Sequence, residues 1–324
     1  MRSRSGRTER DVLRLYYASD VHGSERCWRK FLNAAAAYDV TALVMGGDLT
    51  GKAIVPVERR EHDHVARFLG DARVATDAAE LEELLDAIRF NGMYPWVADG
   101  EDIQRYASGE RDTDDLFEEI IVRELARWVE LADERGAAAD TGVFVMAGND
   151  DPWVVDDVLK SAERTVFCDA RIVEVGGHEM LSCSYANPTP WSSPRELSED
   201  ALYDRINALA QQLSSPSTAI FNLHVPPHGS GLDSATQIDD ELRPVTSGGA
   251  PVTVPVGSTA VRELIEEYQP LLTLHGHVHE SRGVGTIGRT AIVNPGSEYG
   301  NGTIHGAIVV LAEDGVLTRQ LVVG

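Results

Sequence analysis

Lysine is almost missing from this chain. Only Lys30, Lys52 and Lys160 occur among 324 residues, and arginine carries the rest of the positive charge. Acid outnumbers base, 52 Asp+Glu against 29 Lys+Arg, for a net charge of −23. Such a surface repels polyphosphate backbones and offers no basic stripe, so stable nucleic-acid binding is not expected. Cysteine is also scarce: Cys27, Cys168 and Cys183 are odd in number and scattered. That argues against a disulfide framework and for a reducing, cytoplasmic setting. No run of about 18 apolar residues is present, so no membrane-spanning helix and no membrane partner are expected. The opening MRSRSGRTER has no apolar run behind it. It reads as a flexible arm over residues 1–10 rather than a secretory signal.

What is present is an alternation of short apolar runs and amphipathic segments. Leu13–Ala18 reads as a buried strand ending in Ser19-Asp20, Arg26–Ala37 as a helix, and Ala42–Met45 as a strand ending in Gly46-Gly47-Asp48. The stretch from about 55 to 140 is acidic and reads as a helical insertion. Leu81, Leu84, Leu85 and Ile88 follow the spacing i, i+3, i+4, i+7, as do Phe117, Ile120, Ile121, Leu125 and Trp128 with small deviations. Gly92, Pro95 and Gly100 separate the two blocks. Strand character returns at Gly142–Ala147, before Gly148-Asn149-Asp150-Asp151. A hairpin is expected around Gly176-Gly177, and the strand Thr218–Leu223 delivers His224. A Gly/Pro/Ser-rich loop covers about 225–257. The helix Ser258–Tyr268 and the strand Leu271–His275 then lead into a β-rich tail.

The polar signatures all lie just past the ends of apolar strands, where ligands bind in open α/β sheets. They are Asp20-Val21-His22, Gly47-Asp48, Gly148-Asn149-Asp150-Asp151, His224 and Gly276-His277-Val278-His279. Each alone is weak, since a strand-end Asp is usually a turn or cap residue. Together, four imidazoles, two carboxylates and an amide make a shell for two divalent ions. Asp48 can bridge them, with a shared hydroxide as nucleophile. Mixed nitrogen and oxygen donors suit Mn first, and also Fe, Zn, Co or Ni, while Ca or Mg would prefer oxygen alone. Two such ions bring +4, which Asp20, Asp48 and a hydroxide reduce to about +1, so a phosphate is drawn in despite the acidic surface.

The ordered set Asp-x-His, Gly-Asp, Gly-Asn-x-Asp, His and Gly-His-x-His resembles the calcineurin-like metallophosphoesterase superfamily. Asn294-Pro295-Gly296-Ser297 is similar to the closing motif of its small bacterial and archaeal phosphodiesterase branch. The resemblance implies an α/β fold, a four-layer α-β-β-α sandwich of two mixed sheets, forming one domain over residues 11–324. It places Asp20, His22 and His279 on one metal, and Asn149, His224 and His277 on the other, with Asp48 shared. Many members carry a histidine where Asp150 stands. Asp150 with a raised pKa, or His228, would then supply the missing acid, or else the substrate has an undemanding leaving group. Asp48, Asn149, Asp150 and His228 are therefore the catalytic candidates, and Asp151 would orient a ligand from behind.

The expected reaction is in-line hydrolysis of a small phosphate ester, a phosphodiester in preference to a monoester. A metal-binding scaffold without turnover is the alternative from a different class. His275 is expected to pack rather than ligate. Asn187-Pro188-Thr189-Pro190-Trp191 is either a substrate wall or a loop with Trp191 in the core. Arg195 and Arg243 are expected to be surface residues rather than phosphate clamps, and Cys183 a buried strand residue. The 55–140 insertion would form a cap over the metals or a self-association surface.

Overall fold

The computed structural model describes residues 12–110, 112–239 and 241–324, so the arm expected at 1–10 lies outside the described residues. In chain order the first strands and helix are β1 (Leu13–Ala18), α1 (Glu25–Tyr38) and β2 (Ala42–Met45). The inserted stretch holds β3 (Ile54–Arg59), β4 (His64–Phe68), β5 (Asp71–Ala75), α2 (Ala78–Phe90), β6 (Tyr94–Asp99), α3 (Gly100–Ala107) and α4 (Thr113–Ala139). Then follow β7 (Gly142–Val145), α5 (Val154–Lys160), β8 (Val166–Phe167), β9 (Ile172–Val175), β10 (His178–Cys183), α6 (Glu199–Ala210) and β11 (Ile220–Leu223). Short strands β12 (Ser234–Thr236), β13 (Thr246–Ser247), β14 (Ala250–Pro251) and β15 (Thr253–Pro255) ornament the loop after His224. The chain closes with α7 (Thr259–Tyr268), β16 (Leu272–Leu274), β17 (Gly283–Ile287), β18 (Thr290–Asn294), β19 (His305–Ala312) and β20 (Gly315–Val323).

Two six-stranded sheets dominate, ordered β20-β19-β1-β2-β7-β8 and β17-β18-β16-β11-β10-β9. Both are mixed: β1-β2-β7-β8 and β10-β11-β16-β18 run parallel, and antiparallel strands finish the edges. Alternation along each strand sends side chains to opposite faces. Leu15, Tyr17 and Val44 of the first sheet share one core with Met180, Ile220, Leu272 and Val293 of the second. On the other face of the first sheet, Tyr16, Leu43 and Val145 pack with Trp28 and Phe31 of α1 and Ile121 and Trp128 of α4. On the other face of the second, Phe221 and Ile292 pack with Leu202 and Ile206 of α6 and Val261 and Leu264 of α7.

Helix starts follow from short polar caps. Ser24, Asp77, Asp112, Ser198 and Ser258 each accept a backbone N–H of the helix that follows. The helical reading of 55–140 needs correction. Four strands form a sheet ordered β5-β4-β3-β6 with its own small core of Val55, Val57, Ala66, Phe68, Leu84 and Ile88. The reason is visible in IVPVER, where Val55 and Val57 alternate inward, and in the turns at 60–63 and Leu69-Gly70. Pro95 lies within β6, which is tolerated because β6 is an edge strand. The long helix α4 does not belong to this small core. Its indole Trp128 stacks on Trp28 of α1 at 5.1 Å, so it covers the first large sheet.

Candidate metal centre

Each motif occupies the turn immediately after a parallel strand: β1 leads to Asp20 and His22, β2 to Asp48, β7 to Asn149, β11 to His224, and β16 to His277 and His279. Parallel strands all point the same way, so their C-terminal turns gather at one end of the two sheets. Asp20, His22, Asp48 and His277 all have left-handed backbone, with φ of 57°, 39°, 53° and 65°. Such angles are uncommon outside glycine and cluster where a site is held against its local preference. The glycines of the motifs give room for this. A Cβ on Gly148 would meet Asp48 Oδ1 at 2.1 Å, and one on Gly276 would meet Asp20 Oδ2 at 2.3 Å.

The seven side chains expected as ligands are brought together. Asp20, His22, Asp48 and His279 place one ligand atom each within 4.8 Å of one another. His22 Nε2 faces His279 Nε2 at 3.2 Å and Asp48 Oδ2 at 3.6 Å, while His279 Nε2 lies 3.4 Å from Asp20 Oδ1. Asn149 Oδ1 stands 2.9 Å from His224 Nε2 and 2.8 Å from His277 Nδ1, and His224 Nε2 is 3.4 Å from Asp48 Oδ2. Asp48 Oδ2 thus approaches both groups, and lies nearer His224 Nε2 than Asp20 Oδ1 does, which is 3.9 Å away.

The donor chemistry fits a cation. His224 Nδ1 contacts the Gly46 carbonyl at 2.8 Å, which assigns the proton to Nδ1 and leaves the Nε2 lone pair aimed at the Asn149 and Asp48 oxygens. Asn149 Nδ2 donates to Asp150 Oδ1 at 3.1 Å, so its amide oxygen is the atom turned inward. Lone pairs converging on lone pairs require a positive charge among them. Burial opposes an imidazolium at His224, but Asp48 and Asp20 outweigh it and push the pKa up to about 10. Burial would raise Asp48, yet the surrounding imidazoles, His224 first, hold it well below the usual carboxylate range. Burial and the charge of His224 push His277 down to about 4, so it offers a neutral nitrogen.

The ligand turns are locked from behind. Asp151, fully buried, accepts the backbone N–H groups of Leu49, Thr50 and Gly148 and the Thr50 hydroxyl, joining the Asp48 and Asn149 turns. Asp20 accepts the His277 N–H at 3.0 Å. Asn294 donates to the Gly276 and Val278 carbonyls, and Ser297 Oγ to the Asp20 carbonyl, so the Asn-Pro-Gly-Ser segment ties the last ligand turn to the first. His275 bonds the Leu223 and Val225 carbonyls and the Thr273 hydroxyl, and packs without reaching the cluster.

No protein-family model matches the chain. An uncharacterized protein of Methanocaldococcus jannaschii, MJ1162, is 27% identical over 156 residues, which is 47% of this chain; the chain spans 63% of that relative's length. Across 97% of its length the chain superposes on 98% of the crystal structure of TT1561 from Thermus thermophilus, with a TM-score of 0.52 and 14% identity. The chain thus shares its overall fold with TT1561. A solved archaeal phosphodiesterase superposes more loosely, at a TM-score of 0.36 and 11% identity, over 96% of this chain and 100% of that one.

Asp150 stands beside the clustered side chains, its N–H on Asp48 Oδ1 at 3.0 Å. Its carboxylate accepts Lys52 Nζ at 2.5 Å and Ser193 Oγ at 2.7 Å. Burial works against the Lys52 ammonium, but Asp150 outweighs it and raises its pKa. His228 bonds the Gly257 and Ser258 carbonyls, and among the described residues none of its hydrogen bonds reaches the cluster. Arg195 is fully buried, contrary to the surface position expected, and binds the Asp151 and Pro152 carbonyls and Asp156. Arg243 is exposed and paired with Asp239 and Glu241. Cys183 is buried in β10.

Lys52, Ser193 and Tyr299 were missed as site neighbours. Lys52 could have been found, as one of three lysines and only four residues past Asp48. Tyr299 packs its ring 4.6 Å from that of His22, a contact with no sequence signal.

Proposed function

We propose that this chain is a metal-dependent phosphodiesterase with two divalent ions in its site. The single observation that carries this reading is the convergence of seven oxygen and nitrogen ligands, with lone pairs facing one another, at the ends of five parallel strands. Asp20, His22 and His279 would hold one ion, Asn149, His224 and His277 the other, and Asp48 both. Mn²⁺ leads the candidates, with Fe, Zn, Co and Ni compatible with the same donors. When bound, the pair would activate water at neutral pH and offset charge on the phosphoryl oxygens. The face-to-face packing of the large sheets, with helices on both outer faces, supports the four-layer sandwich of the calcineurin-like metallophosphoesterases.

The residues around the ligands favour a diester. Asp150 is a carboxylate, and its charge is matched by Lys52, so this side of the site adds no free cation to welcome a dianion. A diester brings one negative charge and a monoester up to two, and the acidic surroundings penalise the second. With no histidine at position 150, the reaction suits leaving groups that depart without a strong proton donor. Asp151, Asn294 and Ser297 would keep the ligand turns rigid, which limits reorganisation during the reaction. The setting is cytoplasmic, with a small phosphate ester as partner.

The test is to strip the protein of metal, restore Mn²⁺, and compare bis-p-nitrophenyl phosphate with p-nitrophenyl phosphate. Metal-dependent cleavage of the diester in clear excess is expected. An excess of monoester cleavage would reassign the substrate class, and metal uptake with neither substrate cleaved would support a scaffold instead.

A further inference from the structure

A cavity of about 540 Å³ opens beside the ligand cluster, lined among others by Lys52, Asp150, Ser193, Phe117, Asp114 and Trp191. Trp191 is 66% exposed, which decides between the two readings of its loop: it is not a core residue. A large exposed indole on a flexible loop would mean little. Here the loop is pinned to the ligand turn itself. Ser193 Oγ donates to Asp150, the Arg195 N–H bonds the Asn149 carbonyl at 3.1 Å, and the buried Arg195 guanidinium bonds the Asp151 carbonyl. Within the loop, Glu196 accepts the Thr189 and Ser193 N–H groups, and the Thr189 hydroxyl accepts the Trp191 N–H. Pro188, Pro190 and Pro194 remove further backbone freedom. An apolar ring is therefore held in water, next to the reacting position, by a scaffold that costs it little freedom to bind.

We infer that this cavity is the slot for a nucleobase carried by the phosphoester, with Trp191 and Phe117 as its apolar walls. The inference rests on the phosphodiesterase reading for the position of the phosphate and adds the class of its substituent. Any base has a π-face to stack on an indole. Asp114, at the rim on the first turn of α4, adds an acceptor of the kind that reads exocyclic amines. Lys52, paired with Asp150, lines the same cavity, so the wall next to the ligand turn is polar while Trp191 and Phe117 are apolar.

The experiment is calorimetric binding of AMP and of ribose 5-phosphate to the Mn²⁺-loaded protein, its Trp191→Ala variant and its Trp191→Phe variant. The two ligands carry the same phosphate and sugar and differ in the base. The native protein should bind AMP about 5- to 150-fold more tightly than ribose 5-phosphate, as expected of one stacked base. Trp191→Ala should erase that advantage, and Trp191→Phe should keep most of it. Trp191 is exposed, so both variants should retain native melting temperatures. Equal binding of the two ligands by the native protein, or a preference for AMP that survives Trp191→Ala, would overturn the slot. Failure of the other reading looks different: no metal-dependent hydrolysis of any diester, with the AMP preference and its loss in Trp191→Ala intact.

Discussion

Glu25 and Glu124 are buried where α1, α2 and α4 meet, and they face the guanidinium groups of Arg29, Arg89, Arg123 and Arg127. Asp20 and Asp48 are as deeply buried at the strand ends, but among the described residues their ion pairs are with imidazoles alone. In the first cluster permanent cations meet permanent anions. The second has no guanidinium or ammonium among the ion pairs of its two carboxylates in the described residues. A buried anion cluster that supplies its own arginines joins helices to one another. One that supplies only imidazole and amide lone pairs is left with a demand that a divalent ion can meet.

Breaking the second cluster should have the largest effect. Asp48→Asn removes the charge shared by both ligand groups. It is expected to lower metal-dependent diester hydrolysis by about 10³-fold and to reduce bound metal, measured by turnover and by elemental analysis. Full activity in that variant would sink the bridging assignment. Breaking the first cluster should leave chemistry alone and cost stability. Glu124→Ala leaves Arg89, whose side chain is 12% exposed, with only the half-exposed Asp86 as its partner among the described residues, and is expected to destabilise the fold by about 2–3 kcal/mol by denaturant titration, with metal content unchanged. Loss of metal in Glu124→Ala would mean that the two clusters are coupled and the contrast false.

The smallest effect is a pH trend that sharpens the contrast. In the metal-free protein His224 has a pKa of about 10 against an ordinary 6.5. A raised pKa stabilises the fold fully below 6.5, and this contribution is lost as pH climbs through about 10. The melting temperature of the metal-free protein should therefore fall across that window, and His224→Gln should flatten the trend. Metal uptake must displace the same proton, so affinity should rise with pH over the window, followed by titration calorimetry in buffers of different ionisation enthalpy.

Most of the large body was legible in the sequence because its strands are short apolar runs that end in polar signatures. Leu13–Ala18 and Ala42–Met45 match the expected strands, and the other main-body elements differ at their ends by a few residues. The insertion was misread for a definite reason. The leucine spacing of α2 and the apolar face of α4 are strong helical periodicities, whereas β4 and β5 are only five residues each and β5 is mostly exposed. At the site, the ligand types were legible from the motifs, but the neighbours were not. Lys52 meets Asp150, and Ser193 reaches it across 43 residues, only because the loops fold back on the same turn.

The sequence alone determined which chemistry the site can hold. Imidazole, carboxylate and amide at successive strand ends are properties of residue type and order, and parallel strands carry their C-terminal turns to one edge within each sheet. Tertiary structure decided what surrounds that chemistry. It turned the Asn149 amide oxygen inward through Asp150, buried Arg195 under the ligand turn, and left Trp191 in water beside the cavity. It also made α4 a cover for the first sheet and gave the insertion a small sheet and core of its own. Those outcomes depend on contacts between residues far apart in the chain, which local pattern does not encode.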